Sequence, residues 1–270
     1  MAFIQCDFFS EVLRMGTTMN VILPEPARGQ IGMGGTSGVP EHGFPTLYLL
    51  HGLSDDQTTW SRRTSIERYV SGLGLAVVMP TTHRGFYVNM ASGPRYFDFF
   101  RDELPDITRR LFRLSSRRED TFVAGLSMGG FGAMYLALQN PERYAAAASL
   151  SGVVDMPRRM REPNTGVAPV EEWERLFGPN LDGLDETQYD LIATAKQLHT
   201  GGTTMPALYA CCGTEDFLID HNRSFRDGLA TAGVPLTYEE APGEHNWAFW
   251  DAWVQRVLDW LPLARRRPAS

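Results

Sequence analysis

The feature that most constrains this chain is a serine between two glycines, in the segment Gly125-Leu126-Ser127-Met128-Gly129. An apolar run at 121–124 precedes the segment, and a second apolar run at 130–136 follows it. A serine at a sharp turn from strand to helix adopts a strained backbone, for which only small flanking residues leave room. The pattern predicts that Ser127 presents its hydroxyl above the sheet as a nucleophile. The alternative is a glycine-rich turn that serves only tight packing of strand and helix.

Length and charge narrow the class of protein. The chain has 270 residues, of which 43% are hydrophobic and 21% charged, as in soluble globular proteins. One α/β domain of this length buries a sizeable core, and no repeat or composition break indicates a second domain. The net charge of -7 argues against a nucleic-acid partner. We therefore expect a single domain over residues 1–270.

The cysteines and the apolar stretches indicate the cellular compartment in which we expect the protein. The three cysteines, Cys6, Cys211 and Cys212, are odd in number and two are adjacent, so buried thiols are expected rather than a disulfide framework. No basic segment followed by an apolar one marks a signal peptide, and no stretch approaches the roughly 18 apolar residues of a membrane span. We expect a cytoplasmic protein with no membrane span.

Apolar strands alternate with segments of helical periodicity along most of the chain. The predicted strands are 3–13, 18–23, 46–50, 75–79, 121–125, 144–150, 207–212 and 236–240, and the predicted helices are 65–71, 96–112, 128–139, 221–232 and 246–261. Pro105 interrupts the second helix and is expected to sit at a kink. This alternation predicts a mostly parallel sheet with helices on both faces, in which reactive groups gather beyond the carboxyl ends of the strands.

Two stretches depart from the alternation. Residues 155–204 leave one core strand and return before the next, so we expect a small cap-like insertion at the catalytic edge. Residues 24–45 form a flexible loop rich in glycine and proline, expected at the opposite edge and outside the site, as loops of this length often serve assembly. We expect two clusters of arginine to be exposed to solvent, on a surface face or in a tail. They are Arg158, Arg159 and Arg161, and Arg265 to Arg267.

A serine nucleophile needs a base and an orienting carboxylate. His245 lies just past the last predicted strand, at the same edge as Ser127, and is the predicted base. His51 also follows a strand, but we expect it to pack beneath the loop that follows. The other four histidines have no companion motif.

The orienting acid should follow a strand between the serine and the histidine in sequence. Asp216 fits, because it stands in the turn after strand 207–212. Glu215 and Asp155 remain alternatives. The predicted order is Ser127, Asp216, His245.

Stabilising a tetrahedral intermediate needs preorganised N–H donors. The backbone N–H groups of Met128 and Leu53 are the predicted oxyanion hole. Neither a metal-spaced cluster nor a phosphate loop appears, so no metal and no cofactor are expected. The walls of the substrate pocket are expected among six aromatic side chains, with Tyr87 favoured: Trp60, Phe86, Tyr87, Trp173, Trp247 and Trp250.

Four motifs together resemble the esterase D-type branch of the α/β-hydrolases, and within it the small bacterial tributyrin esterases. They are Leu49-Leu50-His51-Gly52, Gly125-Leu126-Ser127-Met128-Gly129-Gly130, Cys212-Gly213-Thr214-Glu215-Asp216-Phe217-Leu218 and His245-Asn246-Trp247-Ala248-Phe249-Trp250-Asp251. The resemblance implies an α/β-hydrolase fold, the same three catalytic residues, hydrolysis of short acyl esters and frequent oligomers. The long loop 24–45 and the arginines at 158–161 depart from this pattern, which bears on substrate preference and assembly.

The sequence thus predicts a serine carboxylesterase that acts on a small ester through an acyl-enzyme. Three alternatives share the scaffold: an S-formylglutathione hydrolase, an acyltransferase in which an alcohol replaces water, and an inactive binding protein. All three predicted catalytic residues are present, which disfavours the last of these.

Overall fold

The strands form one eight-stranded sheet in the computed structural model, which describes residues 1–26, 29, 31, 35, 38–162 and 167–263. The strands are Ala2–Ser10 (β1), Met15–Leu23 (β2), Thr46–Leu50 (β3), Ala76–Pro80 (β4), Thr121–Leu126 (β5), Ala146–Leu150 (β6), Ala207–Gly213 (β7) and Thr237–Ala241 (β8). Their order in the sheet is β1-β2-β4-β3-β5-β6-β7-β8. β2 is antiparallel to both neighbours and the other pairs are parallel. The predicted α/β class and its mostly parallel sheet are confirmed.

Helices cover both faces of this sheet. They are Thr59–Arg63 (α1), Ile66–Tyr69 (α2), Tyr96–Asp98 (α3), Leu104–Leu111 (α4), Met128–Gln139 (α5), Met156–Arg161 (α6), Val170–Phe177 (α7), Leu191–Thr200 (α8), Ile219–Thr231 (α9) and Trp247–Trp260 (α10). The helices α1, α2 and α10 bury apolar side chains on one face, and α5, α8 and α9 do so on the other. The helix α5 is buried along nearly its whole length because it lies between the sheet and α8.

The helix predicted over 96–112 is helical, with a change of winding before its proline. A π-helical turn, Phe99–Glu103, joins α3 to α4. Pro105 has no N–H to donate to the carbonyl of Arg101 four residues earlier, and Arg143 donates its guanidinium N–H to that carbonyl instead. The irregular winding thus falls where the proline interrupts the hydrogen-bond ladder.

The first hairpin is tighter than the sequence predicted. β1 ends at Ser10, opposite Met15, and Arg14 in the turn has a left-handed φ of 57°. The carboxylate of Glu103 accepts the hydroxyl of Ser10 and the N–H of Glu11, which holds the hairpin turn against the end of the segment Phe99–Glu103 that precedes α4. The prediction that the strand continues to residue 13 was wrong because this contact, distant in sequence, ends it.

The two irregular stretches lie at different edges of the sheet. β2 runs antiparallel to β4 and β3 runs parallel to it, so residues 24–45 leave and re-enter at the amino edge of the parallel strands. Much of this stretch, like Arg265 to Arg267, lies outside the described residues.

The insertion between β6 and β7 divides in two. The helices α6 and α7 follow the carboxyl end of β6, whereas α8 packs against α5 and α9 in the helical layer. The part beside the carboxyl edge is therefore shorter than the predicted 155–204.

Candidate active site

Ser127 stands at a strained turn between β5 and α5. Its backbone has φ 52° and ψ -116°, a conformation that residues other than glycine rarely adopt. The flanking residues must be glycines because a side chain at either position would collide with neighbouring backbone. A Cβ on Gly129 would lie 2.6 Å from the carbonyl oxygens of both Leu50 and His51, and one on Gly125 would collide with the backbone of Gly129. The two glycines of the motif thus let β5, β3 and α5 meet closely enough to expose the serine.

The three residues predicted for catalysis lie within hydrogen-bond distance of one another. The Oγ of Ser127 is 3.0 Å from Nε2 of His245. The Nδ1 of His245 is 2.9 and 3.0 Å from the two carboxylate oxygens of Asp216. An imidazole whose Nδ1–H donates to a carboxylate leaves Nε2 as the acceptor for a hydroxyl. The arrangement can therefore take the proton of Ser127.

Asp216 is held as a buried carboxylate. Its side chain is fully buried, and its Oδ1 also accepts the N–H of Leu218 at 2.8 Å. Burial alone would raise the pKa of Asp216, but the hydrogen bonds and charge of His245, with the N–H of Leu218 and the hydroxyl of Ser151, outweigh it and lower the pKa. The carboxylate is thus ionised at neutral pH.

Aromatic side chains fix the imidazole of His245 from two sides. The ring of Phe217 lies 4.5 Å from it between centroids, and the ring of Trp250 lies 4.9 Å away and perpendicular. Trp250 is itself held, because its Nε1 donates to the hydroxyl of Ser151 at 3.2 Å. The ring is therefore positioned by packing as well as by Asp216.

The two backbone N–H groups predicted for the oxyanion hole belong to residues that line one cavity. Met128 is the first residue of α5, and Leu53 follows β3 in a turn where the N–H of Gly52 donates to Asp55 at 3.3 Å. Both Leu53 and Met128 line the cavity that contains Ser127. Among the described residues, neither N–H has a hydrogen-bond acceptor.

His51 lies beneath that turn. Its Nδ1–H donates to the carbonyl of Gly52 at 2.7 Å, and its Nε2 accepts the N–H of Thr82 at 3.1 Å. Burial lowers the pKa of His51 to about 4, so the ring is neutral. Its hydrogen bonds join the ends of β3 and β4 and support the loop that carries Leu53.

A cavity of about 460 Å³ opens over Ser127 and His245. Its walls are mostly apolar and aromatic, and they include Phe86, Trp173, Trp247 and Trp250 of the six aromatic candidates. The sequence analysis missed Phe217 and Leu218 as walls, although both directly follow Asp216 and so had to lie near the site.

Tyr87 and Trp60 do not line this cavity, and their prediction as substrate-binding residues is corrected. The hydroxyl of Tyr87 donates to the carbonyl of His51 at 2.9 Å, and its ring packs on Gly132 inside the core. Phe86 and Tyr87 both have left-handed backbones, with φ of 49° and 60°. This double turn directs Phe86 to the cavity and Tyr87 to the core. Trp60 is buried, with Nε1 donating to the carbonyl of Leu50 at 2.9 Å and its ring against Trp247.

The two alternative acids have other partners. Asp155 caps the N-terminus of α6 by accepting the N–H of Arg158 at 3.2 Å, and it accepts the hydroxyl of Ser224 at 2.6 Å. Glu215 accepts the N–H of Gly243 at 2.6 Å. Asp155 thus caps α6 and ties it to α9, and Glu215 stabilises the backbone at Gly243.

Charged side chains also line the cavity. Asp55, Arg84 and Arg159 contribute to its wall. Arg159 was expected on a solvated face, but it is only 6% exposed, so that expectation is corrected for this residue. Within the described residues, no group of three or more His, Cys, Asp or Glu side chains has the arrangement of a metal site.

Comparison with known proteins supplies the family. The sequence model of the Esterase family matches residues 10–260. The chain belongs to the Esterase family. An acetyl esterase from Caldicellulosiruptor saccharolyticus is 30% identical, over 97% of this chain and 98% of that protein. The expected esterase D-like branch of the α/β-hydrolases is confirmed, and the chain is a carboxylic ester hydrolase.

Two solved structures from Staphylococcus aureus are similar to this member of the Esterase family. One is the fluorophosphonate-binding serine hydrolase FphF in a substrate-bound form, and the other is the S-formylglutathione hydrolase FrmB without ligand. Each is 35% identical and covers 96% of this chain and 98% of its own, with TM-scores of 0.84 and 0.81 respectively. Across the described part of the chain, no helix is long and apolar enough to cross a membrane.

Proposed function

We propose that this Esterase-family protein hydrolyses short-chain acyl esters through an acyl-enzyme on Ser127. The observation that carries the proposal is the pair of hydrogen bonds at His245: Nε2 to the hydroxyl of Ser127 at 3.0 Å and Nδ1 to Asp216 at 2.9 Å. This pairing gives a serine the base that it needs for nucleophilic attack.

The reaction follows from these positions. His245 takes the proton of Ser127 as its Oγ attacks the ester carbonyl, and Asp216 stabilises the imidazolium that forms. The N–H groups of Met128 and Leu53 donate to the developing oxyanion. His245 then protonates the leaving alcohol. Water hydrolyses the acyl-enzyme in the same way, with His245 again acting as the base.

Two observations support a preference for short acyl chains. The cavity of about 460 Å³ is lined by bulky aromatic side chains, among them Phe86, Trp173 and Trp250. The relative from Caldicellulosiruptor saccharolyticus is described as an acetyl esterase. A small ester, with no cofactor, is therefore the proposed substrate.

The test is hydrolysis of the p-nitrophenyl esters of acetate, butyrate and octanoate by the wild type, Ser127→Ala and Met128→Leu. We expect activity to fall with chain length and to fall more than about a thousandfold in Ser127→Ala. Met128→Leu should retain most activity, because only its backbone N–H takes part. Faster turnover of octanoate would contradict the short-chain preference, and an active Ser127→Ala would refute the nucleophile.

The second candidate is hydrolysis of S-formylglutathione, a thioester. It is favoured by the likeness to FrmB, at 35% identity over nearly all of both chains. Comparing kcat/KM for S-formylglutathione with that for p-nitrophenyl butyrate separates the two candidates. A value at least a hundredfold higher for the thioester would replace the first proposal.

A further inference from the structure

The first strand of the sheet, β1, is an open edge. It has nine residues and pairs with β2 on one side over its whole length, without a bulge. Among the residues that the structure describes, no strand or isolated bridge pairs with its other side. An edge strand points the N–H and C=O groups of every second residue outward. The outer side of β1 is therefore a row of hydrogen-bonding groups that a further strand would satisfy.

The residues of β1 do little to prevent such pairing. Natural edge strands are commonly blunted by lysine, proline or bulges, and β1 has none of these, with Asp7 as its single charge. Its exposed face carries Phe3, Gln5, Asp7 and Phe9. Phe3 and Phe9 are 46% and 60% exposed. Two exposed aromatic side chains thus stand on either side of a polar pair.

The other face of β1 packs on the protein. Ile4, Cys6 and Phe8 pack against the core, and the ring of Phe8 stacks on Phe99 with 6.2 Å between centroids. This packing fixes which face of the strand is covered, so an added strand must follow the same alternation. When two identical antiparallel strands are related by a two-fold axis, residues of like face can meet only if the axis passes at a residue.

We propose that two copies of this chain pair through β1, antiparallel, with the two-fold axis at Cys6. This register sets Phe3 opposite Phe9 of the partner subunit and Gln5 opposite Asp7 of the partner subunit, and each pair occurs twice. Aromatic pairs stabilise antiparallel strands, and so does an amide that donates to a facing carboxylate. The strand is complementary to itself in this register, so a second copy of the chain fits it.

The neighbouring registers lack this complementarity. An axis at Asp7 sets that carboxylate against the partner's Asp7, and like charges directly opposite each other destabilise a strand pair. An axis at Gln5 sets Phe3 opposite the partner's Asp7, which places a carboxylate against an aromatic side chain. Of these three registers, the one with its axis at Cys6 alone pairs apolar with apolar and polar with polar.

Such a dimer leaves both catalytic cavities open. β1 is four places from β5 in the sheet, or roughly 19 Å across it. The two-fold axis reverses the strand direction between the copies, so the carboxyl edges of their parallel strands face opposite ways. The inference goes beyond the proposed function and does not depend on it.

The test is sedimentation equilibrium of the wild type, Gln5→Lys and Gln5→Glu, from nanomolar to high micromolar concentration. The lysine should attract the partner's Asp7 and tighten the dimer, whereas the glutamate should repel it and weaken the dimer. Because each pair occurs twice, the dissociation constant should change by about twofold to thirtyfold in each direction. Gln197→Lys and Gln197→Glu make the same changes at an exposed glutamine of α8, and they should leave the dissociation constant unchanged.

The direction of the effect of Gln5→Lys identifies the register. With the axis at Gln5, two lysines would face each other, so a dimer weakened by both substitutions would overturn the proposal. A dimer insensitive to both would lie on another surface, and a wild type that stays monomeric at every concentration would refute the pairing altogether. Thermal unfolding of each variant, with a midpoint close to that of the wild type, shows that the comparison is between folded proteins.

Discussion

Replacing Asp216 with asparagine tests the proposed triad most sharply, because the structure fixes which way the amide can turn. Oδ1 of Asp216 accepts the N–H of Leu218 at 2.8 Å, and Oδ2 faces Nδ1 of His245 at 2.9 Å. An asparagine that keeps its oxygen toward Leu218 presents its NH₂ group to Nδ1. The flipped amide would set that NH₂ group against the N–H of Leu218, two donors facing each other.

The favoured orientation of Asp216→Asn therefore forces His245 to accept at Nδ1 and to carry its proton on Nε2. That imidazole donates toward Ser127 and cannot take its proton. The imidazolium of the transition state also loses a carboxylate partner. We expect kcat to fall by about a thousandfold to ten-thousandfold, or about 4 to 5.5 kcal/mol, with a KM within a few-fold of the wild type.

The assay is steady-state hydrolysis of p-nitrophenyl butyrate at saturating substrate, with thermal unfolding measured in parallel. Asp155→Asn is the matched control, since Asp155 is a buried carboxylate that follows β6 and contacts Arg158 and Ser224. It should lower stability more than kcat. If Asp216→Asn kept more than a tenth of the wild-type kcat while Asp155→Asn lost its activity, the assignment of the acid would be refuted.

Two further predictions concern the support of the site. In urea unfolding, Gly129→Ala should lower the free energy of unfolding by about 1 to 3 kcal/mol, because the new Cβ would lie 2.6 Å from two backbone carbonyl oxygens. The control Gly16→Ala should change that free energy by less than about 0.5 kcal/mol, because no atom lies within 4 Å of its new Cβ. His51 has a pKa of about 4 when folded and about 6.5 when unfolded, so the unfolded state gains a proton first as pH falls. As the pH falls from 8 to 5, His51 should therefore lower the free energy of unfolding of the wild type by about 2 kcal/mol. His51→Gln should lose less unfolding free energy over the same pH range, by that amount. Equal losses in the wild type and His51→Gln would contradict the neutral, buried imidazole.

The parts of the fold that the sequence predicted well are those governed by local signals. The bounds of β3 and α5 match the predicted 46–50 and 128–139 residue for residue. Each is bounded by a residue with a strong conformational preference: a proline before β3, and the glycines around Ser127 before α5. Such signals act within a few residues and need no knowledge of the rest of the chain.

The same reasoning located the three residues of the proposed triad. In a parallel sheet, residues just after the strands share one edge, so the chain positions of Ser127, Asp216 and His245 already imply proximity. The structure adds what spacing cannot supply, the 3.0 Å and 2.9 Å separations and the rings of Phe217 and Trp250 that hold the imidazole.

The substrate cavity was predicted less well because its walls depend on side-chain direction. Phe86 and Tyr87 are both aromatic and adjacent, and only two consecutive positive φ angles decide which of them faces the cavity. Those angles cannot be inferred from residue type, since residues other than glycine rarely adopt them. Tyr87 lies in the core because its hydroxyl donates to the carbonyl of His51 and its ring packs against Gly132, 45 residues further along the chain.

Arg159 presents the same difficulty. In the sequence it is one of three clustered arginines, and an arginine cluster is usually solvated. What sets it apart is the phase of α6, fixed by the cap at Asp155, and the arrival of Trp173 from α7 to cover the guanidinium. The place of Arg159 in the cavity wall thus depends on how α6 and α7 pack together, which the sequence pattern does not show.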